Sequence, residues 1–181
     1  MSWRHIASHC PVTPMDNSNI DIVPFEKQHW PEVAEIFSQG IATENATFET
    51  AVPDLPTFLH RFHPGLLWVG LKRRQVTGWA GLRPFSTKKV YAGVCEVSVY
   101  VHADHRGMGI GKTLLHHLVD ESEKAGMWTL FASVFPENAA SISLHRALGF
   151  REIGYRERVG KLNGVWRNTV QFERRSKING L

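Results

Sequence analysis

Residues 97–115 read VSVYVHADHRGMGIGKTLL, an apolar, alternating run that ends in closely spaced glycines and continues with leucines at helical spacing. No other stretch limits the fold as much, because a strand must pass straight into a helix through a turn that only glycine tolerates. The end of the turn, Gly111-Lys112-Thr113, has the tail of a triphosphate-binding loop. That motif requires glycine at position 106, where the chain has Arg106. The dinucleotide fingerprint fails as well: Gly107 and Gly109 are correctly spaced, but Lys112 stands where the last glycine belongs. A third pattern, [RQ]-x-x-G-x-[GA], is satisfied by Arg106, Gly109 and Gly111. Glycines here let the backbone approach a ligand, and the helix beginning at Ile110 turns its unpaired N–H groups and positive dipole end toward it. With Arg106 and Lys112 alongside, the turn is expected to cradle a pyrophosphate.

The remaining elements are placed by periodicity and punctuation. Residues 20–24 alternate and begin a sheet, and residues 29–40 form a helix stopped by Gly40. Asp54 caps a second helix running toward His63. Residues 66–72 and 76–82 make a hairpin about a basic turn at Arg73-Arg74-Gln75. Residues 93–101 are a long β-branched and aromatic strand. The helix after the glycines buries Ile110, Leu114, Leu115, Leu118 and Val119. Residues 127–135 are a buried strand and 138–148 a short helix ended by Gly149. Residues 150–159 and 165–172 are two last strands, joined at Leu162-Asn163-Gly164. This order predicts an α/β sheet of mixed strand direction in a single domain over residues 20–174, between a loose extension (1–19) and a tail (175–181).

Bulk properties narrow the function. A net charge of +4 is a mild excess that suits a polyanionic small molecule as well as a nucleic acid. Cys10 and Cys95 form no disulfide or zinc pattern, which points to a reducing cytoplasm. No apolar run nears the ~18 residues of a membrane span, and no signal peptide is expected. The ten histidines complete no metal set with cysteines or carboxylates at a usual spacing, so no metal is expected.

Two segments carry a family resemblance. Residues 97–115 resemble the acetyl-CoA motif of the GCN5-related N-acetyltransferases. PENAASISLHRALGF, residues 136–150, resembles the family's second motif, with Asn138, Ser141, Leu144, His145, Gly149 and Phe150 matching. Within the family, NATFET at 45–50 and GWAGLRPFSTKKVYAGVCEVSVYV at 78–101 are similar to the phosphinothricin and methionine sulfoximine acetyltransferase branch. That branch often has arginine after the tyrosine at position 91, where this chain has Ala92. The resemblance implies a mostly antiparallel, twisted sheet flanked by helices, and acetyl-CoA as cosubstrate. It implies that the backbone of Val99, Tyr100 and Val101 pairs with the pantetheine arm. Amides of Gly107, Met108, Gly109, Ile110, Gly111 and Lys112 would hold the pyrophosphate beside Arg106, with Asn138 and Ser141 on the pantetheine side. Glu96 falls at the general-base position, and Ser86, Thr87, Lys88, Glu96, Val97 and Ser98 at the acceptor site.

These expectations define a mechanism and its rivals. An ammonium acceptor must lose a proton before it attacks a thioester, and Glu96, mid-strand among valines, is either that base or a residue of the polar face. His145 is either the acid for the departing thiolate or a helix histidine that packs or bonds the cofactor. An amino-acid-like acceptor needs a cation for its carboxylate, with Arg83 and Lys88 as candidates, while Phe48, Trp79 and Tyr91 are candidate walls. The expected activity is acetyl transfer to a small amino-acid-like amine, without nucleic-acid or membrane partners; a homodimer is left open. Rival readings are a peptide N-terminal acetyltransferase of the same fold and a CoA-binding sensor without turnover.

Overall fold

A computed structural model describes residues 20–181. The extension expected at 1–19, with Cys10, lies outside the described residues. The elements are β1 (Asp21–Pro24), α1 (Trp30–Ala42), α2 (Leu55–His60), β2 (Leu67–Lys72), β3 (Gln75–Pro84), β4 (Val94–Val101), α3 (Ile110–Lys124), β5 (Thr129–Val134), α4 (Ala139–Ala147), β6 (Arg151–Leu162) and β7 (Val165–Arg175). They follow the predicted order and build one seven-stranded sheet, β1-β2-β3-β4-β5-β7-β6. Among the described residues, only β4 and β5 pair in parallel; the other neighbours are antiparallel.

Alternation along the strands splits the core into two layers. Trp79 of β3 joins Val33, Ile36, Phe37 and Phe58 of α1 and α2 on one face. Ala80 and Leu82, one residue out of phase, join Leu114, Leu115 and Leu118 of α3 on the other. In β4, Cys95 and Val97 face α3 while Tyr100 packs with the α1 layer. The even-numbered positions Glu96, Ser98 and Tyr100 therefore share the α1 face, opposite Cys95.

Local chemistry explains the turns. Asp54 Oδ1 accepts from the Thr57 N–H at 2.9 Å and starts α2 as expected. The β2–β3 turn is tighter than predicted: Arg73 and Arg74 take φ of 50° and 70°, and Gln75 is already paired with Lys72. Asn163 and Gly164 take φ of 47° and 84° between β6 and β7, the left-handed pair that an Asn-Gly hairpin favours. Leu162, expected in that turn, is instead a buried end of β6. The last strand also runs into the expected tail, to Arg175, and Asn179 Nδ2 ties the remainder to the carbonyls of Glu123 and Met127.

Gly40 does not stop α1, which continues to Ala42. A Cβ at Gly40 would lie 2.7 Å from two ring carbons of Tyr100, so this glycine admits the tyrosine against the helix. Gly40→Ala should therefore lower stability by about 1–3 kcal/mol through overpacking, although alanine is intrinsically the better helix former by ~1 kcal/mol. A urea midpoint that rises on substitution would contradict the packing argument.

Candidate active site

The sheet splits at Glu96. β4 pairs with β3 from Cys95 opposite Pro84 to Val101 opposite Gly78. With β5 it pairs only at Val94–Thr129, Cys95–Leu130 and Glu96–Phe131. Beyond that point the two strands part, and a cleft of about 900 Å³ opens between residues 97–101 of β4 and residues 132–135, the end of β5 and the Phe135 that follows it. The open edge of β4 faces this space with main-chain groups that have no strand to pair with.

The glycine turn closes one end. Gly107 and Gly109 have φ of 75° and 80°, and a Cβ built on either meets nothing within 4 Å. Gly109 is the N-cap of the 15-residue α3 and supplies no side-chain cap, so the first N–H groups are left for a ligand. Arg106, Ile110 and Lys112 line the cleft, whereas Met108 projects away and is exposed. Gly111 differs from the other two glycines: its Cβ would lie 3.4 Å from Val101 Cγ2 and 3.6 Å from Leu144 Cδ2, where α3 packs against β4 and α4. The space, the uncapped helix terminus and the two cations fit a pyrophosphate.

Acidic and basic side chains pair at the other end. Arg83 and Glu96 are opposite in the β3–β4 register, and Arg83 Nη2 donates to Glu96 Oε2 at 2.8 Å. Arg61, which caps the end of α2, donates to Glu49 Oε1 at 2.6 Å. All four line the cleft with Val97, Ser98 and Phe48. Tyr100 lies in the fields of Arg83, Glu49 and Glu96; burial pushes its hydroxyl up to about 12, so it stays a neutral phenol. Phe48 stands edge-on to Phe135 at 4.8 Å.

Several expected acceptor residues lie elsewhere. Ser86, Thr87, Lys88 and Tyr91 are not part of the cleft wall. They belong to the segment that leaves the sheet after Pro84, where Tyr91 packs edge-on against Phe85 at 5.7 Å. Of the two cations expected for a carboxylate, only Arg83 reaches the cleft. Trp79, expected as a wall, does line the cleft: it is 1% exposed, stacks on Tyr100 at 4.7 Å and meets the space from the core side. Arg61 had no sequence signal, being a lone arginine after a six-residue helix; Glu49 lies inside the NATFET segment.

Helix α4 brings Asn138, Ser141 and His145 to the cleft. Both ends of the Asn138 amide are engaged: Oδ1 accepts from the Ser141 N–H at 3.1 Å, and Nδ2 donates to the Asn45 carbonyl at 2.9 Å. Its side chain thus caps α4 and straps the 43–50 segment to it. His145 Nδ1 lies 2.7 Å from the Ser141 carbonyl, which can only accept, so the proton sits on Nδ1. Nε2 then carries a lone pair and is buried without a partner. Burial also lowers the imidazole's pKa, so the ring is neutral at neutral pH and has no proton on Nε2 to donate. Of the two roles left open for His145, this geometry favours packing or bonding the cofactor over acid catalysis. Cys95 is buried against Met127, and burial pushes its thiol up to about 11, which leaves it no nucleophile.

The sequence profile described as the acetyltransferase (GNAT) family matches residues 30–150. The chain is 30% identical over 139 residues to the L-amino acid N-acyltransferase MnaT of Escherichia coli (strain K12), covering 74% of this chain and 81% of that protein. It is 38% identical over 91 residues to the L-methionine sulfoximine/L-methionine sulfone acetyltransferase of Salmonella typhimurium, an alignment of 50% of this chain and 53% of that relative. Among solved structures, a GNAT superfamily phosphinothricin acetyltransferase from Sinorhizobium meliloti in complex with AcCoA is similar at a TM-score of 0.81. Its identity is 28%, over 89% of this chain and 90% of that one.

Proposed function

Because this chain belongs to the GNAT acetyltransferase family, we propose that it transfers the acetyl group of acetyl-CoA to the amine of a small amino-acid-like acceptor. The observation that carries this reading is the parting of β4 from β5 directly after Glu96. It leaves an open strand edge between an uncapped helix terminus and a carboxylate.

The β4 edge at Val99, Tyr100 and Val101 takes the pantetheine arm as an added strand, and the turn from Gly107 to Lys112 takes the pyrophosphate. Acetyl-CoA supplies the activated thioester, whose thiol has a pKa of about 8.5 and leaves without requiring an acid. Glu96 accepts the proton of the acceptor ammonium, directly or through a water. The Val99 N–H donates to the thioester oxygen as it gains charge, a contact of the kind worth about 3 kcal/mol in the transition state. His145 orients α4 beside the cofactor and donates no proton.

A peptide N-terminus is the less favoured acceptor, because it would bring no carboxylate to the guanidinium that is paired with Glu96. We place the protein in the cytoplasm, a reading supported by the unpaired thiol of Cys95. We also expect a homodimer, a reading supported by the exposure of the large apolar residues Ile153, Tyr155 and Val159 on the edge strand β6 and Trp166 on β7. No helix among the described residues is long and apolar enough to cross a membrane.

The direct test is release of free thiol from acetyl-CoA across an amine panel that includes phosphinothricin and methionine sulfoximine. Turnover is expected with amino-acid-like members. No thiol release with any amine, from protein that acetyl-CoA still stabilises, would replace the transferase with a CoA-binding module.

A further inference from the structure

We propose that the Arg83–Glu96 ion pair is the receptor for the charged head of an α-amino acid, and that Arg83 makes a free carboxylate beside the amine a requirement of the acceptor. The proposal rests on the transferase reading and names which amines the site takes.

The pair is built into the sheet. The two residues face each other across β3 and β4, so backbone register holds them together. Their contact uses one nitrogen and one oxygen, Nη2 and Oε2. The guanidinium is therefore only partly used, and its Nε is buried with no hydrogen-bond partner. The N–H groups that a ligand can reach are those on the exposed part of the side chain, not the sealed Nε. Both side chains remain about one-third exposed, 35% and 30%, and both line the cleft.

An α-amino acid carries the complementary charges at matching separation. Its nitrogen and carboxyl carbon are joined through a single Cα and lie about 2.5 Å apart. An ion pair and a zwitterion can thus meet head to tail, with the ammonium against Glu96 and the carboxylate against Arg83. The second pair, Arg61–Glu49, holds the 43–50 segment to the end of α2. Arg106 and Lys112 are at the glycine turn, and Lys88 is off the cleft. Arg83 is left as the cation placed beside the base. A peptide N-terminus or a simple amine would bring no carboxylate, and the Arg83 donors would stay unmatched, which is how a polar site rejects an analogue lacking its partner.

The experiment compares L-methionine sulfoximine with its α-carboxamide. The protein is the wild type, Arg83→Gln or Arg61→Gln, each first checked for unchanged acetyl-CoA stabilisation. The wild type should prefer the acid by about 10²-fold or more in kcat/KM. Arg83→Gln should lose about 10²-fold on the acid, mostly in KM, and change the amide by less than about threefold. Arg61→Gln should keep the preference. Equal use of acid and amide by the wild type would overturn the proposal. So would an equal loss on both in Arg83→Gln, since Arg83 would then only hold Glu96, and so would a preference abolished by Arg61→Gln instead. Calorimetric titration of both compounds into the CoA-saturated wild type and Arg83→Gln gives the same discrimination as a ratio of Kd values. Absence of turnover would defeat the transferase reading alone, while the binding ratio still decides the role of Arg83.

Discussion

Glu96→Gln is expected to lower kcat/KM at neutral pH by roughly 10²-fold, the usual yield of a positioned base. Glutamine keeps the shape and can still accept from Arg83, but it cannot take a proton. The fold should be almost indifferent, because an ion pair exposed to this degree contributes no more than about 1 kcal/mol. Acetyl-CoA binding should also persist, since the turn that holds the pyrophosphate lies at the other end of the cleft. The pH–rate profile is the informative measurement. Below the acceptor amine's own pKa the variant must wait for the rare neutral amine, and above it the base is unnecessary. The defect should therefore shrink as pH rises through that pKa. An equal fractional loss at every pH would reduce Glu96 to a group that positions the acceptor. The same substitution should slow the amino acid and its carboxamide alike, unlike Arg83→Gln, which separates base from recognition.

Gly109→Val is expected to abolish stabilisation by acetyl-CoA. In the parent protein, ligand at a hundredfold excess over Kd should add about 2.7 kcal/mol. At roughly 2–4 °C per kcal/mol for a chain of this size, that is a rise in Tm of about 5–10 °C. Gly109 adopts φ of 80°, a conformation that a β-branched residue resists at a cost of about 1–3 kcal/mol. The turn must relax or strain, and either outcome redirects the N–H groups at the start of α3. The apoprotein should still fold, because the added Cβ meets no neighbouring atom. The comparison is thus between ligand-induced increments, not absolute melting temperatures. A full increment in the variant would show that the cofactor is held without this turn.

The sequence by itself determined what depends on neighbours along the chain. The helix α3 is specified by its apolar stripe, the hairpin at Asn163-Gly164 by residues suited to left-handed backbone, and the start of α2 by Asp54. The strand–turn–helix around Gly107 and Gly109 belongs to the same class, as do the two segments that carry the family resemblance. Each is a short-range preference in φ, ψ or side-chain period.

What only the tertiary structure decided are contacts between residues far apart in sequence. No local signal tells that β4 leaves β5 after Glu96, because that depends on how β5 is held by β7 on its other side. Gly40 looked like a helix stop, and its purpose appears only when the Tyr100 ring is brought against α1. Lys88 and Arg83 were equivalent cations in the chain. Strand register put Arg83 opposite Glu96 and carried Lys88 off the sheet. Arg61 entered the cleft by pairing with Glu49, 12 positions away on the other side of α2. His145 matched a motif, but the carbonyl of Ser141 decided which nitrogen holds its proton, and burial keeps the ring neutral. Charge and shape at a site are sums over segments that folding brings together, so local sequence could name the candidates but not which of them meet.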